Sequence, residues 1–190
     1  LHTALAIYGC ILGYEKISDE MKDGELTKLI KTIGYKEGLP VVTDPGIINP
    51  KDFIDTVVEV RLPNSFMPDT PQRIACDTSQ KLAIRFGETI KAYEKSESLK
   101  VSDLKLIPLV FAGWARYLMG IDDNLNKFEL SPDPLLEKVV PMVADIKIGD
   151  TDVHSRLEKL FSDASVLFKI PPCVNPTFGW SCGLSLSRTK

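Results

Sequence analysis

Apolar residues recur along this chain three and four positions apart, and no stretch longer than four or five residues alternates apolar with polar. A half-buried strand needs that alternation, whereas a helix packed on one side needs the wider spacing. The pattern predicts an all-α fold. Met21, Leu26, Leu29, Ile30 and Ile33 mark one helical face, and Phe53, Ile54, Val57 and Val58 mark another. The most apolar stretch, Leu106 to Ile121, is too short for a bilayer and contains Arg116, so it reads as a core helix. Further helices are expected from Leu1 to Gly13, from Pro71 to about Glu94 with a break near Thr78-Ser79, over 134–148 and over 152–168. Loops rich in Pro and polar residues fall at 38–50 and 64–71. The expected organisation is a helical domain of seven or so helices over residues 1–170, with 171–190 as its irregular tail.

A chain of 190 residues can bury a real core, and 44% apolar with 26% charged residues is ordinary for a soluble protein. A formal charge of −3 supplies no basic footprint for nucleic acid or an anionic membrane. Cys10, Cys76, Cys173 and Cys182 lack CxxC pairing and metal-ligand spacing. They read as reduced thiols of a cytoplasmic protein, with a disulfide open only to Cys173 and Cys182. The first helix starts in full stride at Leu1 without a capping residue, so the chain is expected to be a piece of a longer one.

The densest polar constellation is Arg73-Ile-Ala-Cys-Asp77-Thr-Ser-Gln-Lys81, set among Leu82, Ala83, Ile84 and Phe86. On one continuous helix, charges at i, i+4 and i+8 fall within about 80° of each other. Such a trio is either an intrahelical ion-pair ladder, with Asp77 between two cations, or a wall that binds a polar ligand. Thr78, Ser79, Gln80 and Arg85 add donors suited to a polyhydroxylated or carboxylated molecule. Only His2 and His154 can supply imidazole chemistry, and a lone His on an apolar helix is more often a packing residue. His154 lies on a charged face and reads as solvated. Gly9 and Gly13, four apart, suit close helix packing. Asp122-Asp123 is most simply an exposed turn, and no dinucleotide fingerprint, Walker loop, GxSxG or HExxH motif is present.

Arg61-Leu-Pro-Asn64 followed by Arg73-Ile-Ala-Cys-Asp77-Thr-Ser-Gln-Lys81 resembles the signature of the mannitol dehydrogenase family, the long-chain polyol-specific dehydrogenases. That family includes the fructuronate and tagaturonate reductases. Its members show an R-F-x-N-P turn and an R-I/L-x-x-D-x-S-x-K helix. The opening Leu-His-Thr-Ala is similar to the end of its K-x-x-x-x-N-x-x-H-T/S motif. Leu62 and Ser65 depart from the family's Phe and Pro, which bears on how the turn sets Asn64.

The resemblance implies a C-terminal substrate domain of an enzyme that moves a hydride between NAD or NADP and a polyol, ketose or hexuronate, without a metal. His2 would hold the reacting oxygen as a catalytic residue. Arg73, Lys81 and Asp77 would bind or orient the substrate, with Asn64 near the pocket. The lysine acid/base, its asparagine and a Rossmann domain that binds the dinucleotide would precede Leu1, leaving this piece inactive alone. A hexuronate reductase and a non-catalytic helical binding module stand as the alternatives.

Overall fold

The computed structural model describes residues 1–163, and all named elements there are helical. α1 (His2–Leu12) lies at the centre, with Thr3 through Ile11 all buried. α2 (Ile17–Glu20) and α3 (Gly24–Thr32) follow, split where Asp23 accepts the Glu25 and Leu26 amides and so caps α3. α3 runs into a π-helical segment, Ile33–Gly38. α4 (Pro50–Asp55), capped by Asn49, continues as a second π segment, Thr56–Arg61. Next come α5 (Pro71–Ile74), α6 (Thr78–Leu82), a third π segment Ala83–Gly87, and α7 (Glu88–Lys95). α8 (Leu106–Tyr117), α9 (Leu136–Val143) and α10 (His154–Ser162) complete the described α-helices, and short 3-10 turns lie at Leu39–Val41 and Val101–Asp103. An isolated antiparallel bridge joins Ile121 and Lys127.

The all-α expectation holds, with the helices more finely divided than the periodicity suggests. α1 packs between α5 and α8, and α8 adds buried Ile107, Val110, Phe111 and Trp114 to the same core, as the core-helix reading requires. The two glycines of α1 divide their work. A Cβ on Gly9 would lie 2.2 Å from Glu20 Oε1, so Gly9 does permit close packing. Gly13 instead closes the helix in the left-handed conformation at φ 75°. Asp122 and Asp123 form the self-satisfied turn expected of them: Asp122 accepts the Asn124 and Asn126 amides, and Arg116 ties down the Ile121 and Asp122 carbonyls. Among the described residues no helix is long and apolar enough to cross a membrane, and no group of His, Cys, Asp and Glu could hold a metal. Cys10 and Cys76 are free thiols. The tail, Cys173, Cys182 and the end of the helix expected over 152–168 lie outside the described residues.

Glu20 is fully buried with neither carboxyl oxygen hydrogen-bonded, and burial pushes it up to about 9 from an unfolded value near 4.5. The folded state therefore keeps a proton that the unfolded chain gives up above pH 4.5, and stability falls as pH rises. Between pH 6 and 8 this group alone should cost the parent about 2–3 kcal/mol. Glu20→Gln should remove that dependence, which chemical denaturation of both proteins at the two pH values would read. Identical pH dependence in the two would refute it.

Candidate functional site

The first turn of α1, α2 and the segment after the second π turn enclose a small open cleft. His2 comes from α1, Ile17 and Ser18 from α2, Arg61 from the end of the second π segment, and Leu62, Asn64, Met67 and Asp69 from the loop that follows. Its enclosed space is about 10 Å³, room for roughly one water or one hydroxyl group. Hydrogen bonds within 61–67 fix the loop: the Asn64 amide donates to the Arg61 carbonyl at 3.3 Å, and the Met67 amide to the Asn64 carbonyl at 3.1 Å. Asn64 Oδ1 accepts the Phe66 amide at 3.0 Å, leaving Nδ2 as the donor this side chain can offer. Leu62, buried in the core cluster, anchors the turn. The departures from the family pattern at 62 and 65 thus leave Asn64 beside His2.

His2 is half-buried, and burial above all lowers its imidazole to about 4, helped by the Leu1 amino group, a charge that residues preceding Leu1 would remove, and by Arg61. Asp69 opposes the shift and Arg85 adds to it. The ring is neutral from pH 6 upward, so it offers one N–H donor and one acceptor. Arg85, from the third π turn, donates to Thr3 Oγ1 at 2.8 Å and so pins the residue after His2.

The Arg73–Asp77–Lys81 face of one continuous helix is not formed. The chain leaves the α-helix after Ile74, and Asp77 adopts the left-handed conformation at φ 53°. Asp is among the few residues with a side chain that tolerate this. The break is held from a distance. The Asp77 amide donates to the Pro132 carbonyl at 2.9 Å, and Asp133 accepts from Ser79 N at 2.8 Å and Ser79 Oγ at 2.6 Å, capping α6. Neither cation pairs with Asp77, so the ladder reading is also corrected. Arg73 pairs with Asp69, and Lys81 Nζ donates to the Ile74 carbonyl at 3.0 Å.

The structure therefore places the expected residues unevenly. His2 and Asn64 meet in the cleft. Arg73 reaches it through Asp69, which lines it, and the bond from Lys81 to Ile74 brings that amine to the residue after Arg73. Asp77 shapes the backbone and holds neither cation. Asp69 and Ser18 line the site without having been singled out for it, and Arg61, which opens the family motif, lines it without having been given a role. Asp69 lies four residues before Arg73, as Asp77 lies four after, so the spacing offered both.

A family model described as the mannitol dehydrogenase C-terminal domain matches residues 1–163. A D-mannonate oxidoreductase from Thermotoga maritima is 57% identical over 170 residues, covering 90% of this chain and 31% of that protein. Mannitol dehydrogenase DSF1 of Saccharomyces cerevisiae is 30% identical over 85% of this chain and 31% of its own length. The fold matches that of Pseudomonas fluorescens mannitol 2-dehydrogenase, solved as a ternary complex with NAD and D-mannitol. The TM-score is 0.75 at 23% identity, over 90% of this chain and 32% of that one. The chain spans about a third of the length of the relatives it matches.

Proposed function

Because this chain belongs to the mannitol dehydrogenase family, matching its C-terminal domain, we propose that it is the substrate-binding domain of an NAD(P)-dependent dehydrogenase acting on linear polyols and their keto forms. The observation that carries this reading is the meeting of His2 and Asn64 in one cleft, at the end of the buried helix α1. Family membership argues against a free-standing binding module. Among the described residues no strand, glycine turn and helix cradle a pyrophosphate. The dinucleotide, which carries the hydride, is assigned to an N-terminal domain of the full-length protein.

Each residue is given a role in this proposal. Neutral His2 hydrogen-bonds the reacting oxygen as charge develops on it, while a lysine preceding Leu1 transfers the proton. Arg73, held at the cleft edge by Asp69, and Lys81 bind the distal part of the sugar, so remote contacts orient the reacting carbon. Space for about one hydroxyl is far below the several hundred Å³ of a typical ligand pocket. The opposite wall is therefore assigned to the N-terminal domain, and exposed Val60, Phe66 and Met67 beside the cleft suit such a cover.

A sugar-acid substrate is the second reading, favoured by the 57% identity to a D-mannonate oxidoreductase. Arg61 in the cleft supplies a cation suited to a carboxylate. The test is a steady-state assay of the full-length protein with mannitol, fructose, D-mannonate, fructuronate and tagaturonate, each with NAD(H) and NADP(H). Turnover of the neutral pair supports the first reading and turnover of the acids alone the second. No turnover of any would refute both.

A further inference from the structure

Ser18 combines three properties that seldom coincide. It lines the His2 cleft, it is 4% exposed, and its Oγ has no hydrogen-bond partner. A hydroxyl shielded from water with its bonds unmade costs free energy, and a serine near a helix start usually spends that oxygen on a nearby amide. At the start of α2 the backbone offers such groups: the Glu20 amide donates instead to the Lys16 carbonyl, and the Ile17 amide to the Asp69 carbonyl. The second of these bonds ties α2 to the cleft-lining loop and sets Ser18 beside the wall that carries Asp69 and Asn64. The enclosed space there is about that of one hydroxyl group.

We infer that Ser18 is a substrate ligand: its hydroxyl, shielded in the cleft, turns about χ1 to complete its hydrogen bonding on a sugar hydroxyl that enters beside His2 and Asn64. The inference rests on the function proposed above and adds to it a contact from α2, outside both resemblance motifs. A hydroxyl can donate and accept at once, so Ser18 suits a carbinol hydroxyl and the neutral imidazole equally.

A structural serine and a ligand serine respond oppositely to truncation. In the full-length protein, Ser18→Ala should raise KM for the best sugar substrate about fivefold to twentyfold, the loss expected for one hydrogen bond to a bound hydroxyl. It should leave the affinity for NAD(H) unchanged and the melting temperature unchanged or raised, because a buried hydroxyl without a partner has been removed. Within a panel of monodeoxy hexitols, the one lacking the recognised hydroxyl should bind parent and variant alike. An unmoved KM overturns the inference, as it would if ordered water alone satisfied Ser18. A melting temperature lowered by several degrees, or failure to fold, overturns it too, by making the hydroxyl structural. A parent protein that turns over and binds no sugar would instead refute the proposed function; an active parent with an unaffected Ser18→Ala variant refutes only the Ser18 contact.

Discussion

Replacing His2 by Ala in the full-length protein is expected to lower kcat on its best sugar substrate by about 10²- to 10⁴-fold, the range lost when a positioned hydrogen-bonding group is removed from a reacting oxygen. KM should change much less, since the bond strengthens mainly as charge develops. The substitution leaves the core intact. His2 is only half-buried, and the contacts that seat α1 come from Thr3 onward. His2→Gln should recover part of the rate, because an amide keeps a donor. The pH profile makes a second, independent demand. Burial, the largest cause of the lowered His2 imidazole, persists when residues precede Leu1 and remove its amino charge, so His2 is expected to contribute no titration between about pH 7 and 9. Any limb seen there belongs to another group, such as the lysine assigned to the preceding segment. A His2→Ala variant within threefold of the parent in kcat would remove His2 from the chemistry.

The largest structural effect is expected at Glu37. It sits in the first π segment with 6% exposure, and its carboxylate accepts the amides of Lys105 and Leu106 on Oε1 at 2.7 and 2.8 Å and that of Ile107 on Oε2 at 2.7 Å. These are donors at the N-terminus of α8, which has no local side-chain cap. A carboxylate there meets both the unpaired amides and the positive end of the helix dipole. Glu37→Ala leaves three amides facing a void, at a cost of about 3–5 kcal/mol once partial rehydration is allowed for. That is a large share of the 5–15 kcal/mol that holds a typical domain together. Chemical denaturation and faster hydrogen exchange at Leu106 and Ile107 would register it. Glu37→Gln should lose less, since one oxygen still accepts. A loss under about 1 kcal/mol for the Ala variant would show that the amides find other partners.

Glu37 also marks where sequence reading stops. Nothing in Ile-Gly-Tyr-Lys-Glu-Gly announces a cap for a helix some seventy residues later, because the cap and the helix meet only after folding. The same holds for Asp133, which caps α6 from 54 residues away and so decides that the chain breaks at Asp77. The sequence carried a hint, since Asp77-Thr-Ser79 is poor material for a helix interior, but the hint alone could not choose between a bend and a break. Once the break is made, Asp69 pairs with Arg73, and Asp77 does not.

Spacing by threes and fours was enough to determine an all-α chain, and the apolar run from Leu106 to Ile121 to determine a core helix, because burial of a helix depends on the local pattern of its residues. The motifs that carry the family resemblance were likewise local strings, legible without coordinates. Only the tertiary structure decided which residues share the cleft. His2, Ser18, Asn64 and Asp69 come from three stretches of chain, and their meeting depends on how α1, α2 and the loop before α5 pack. Distances across a packing interface are fixed by every side chain filling it, and no periodicity within one segment records them.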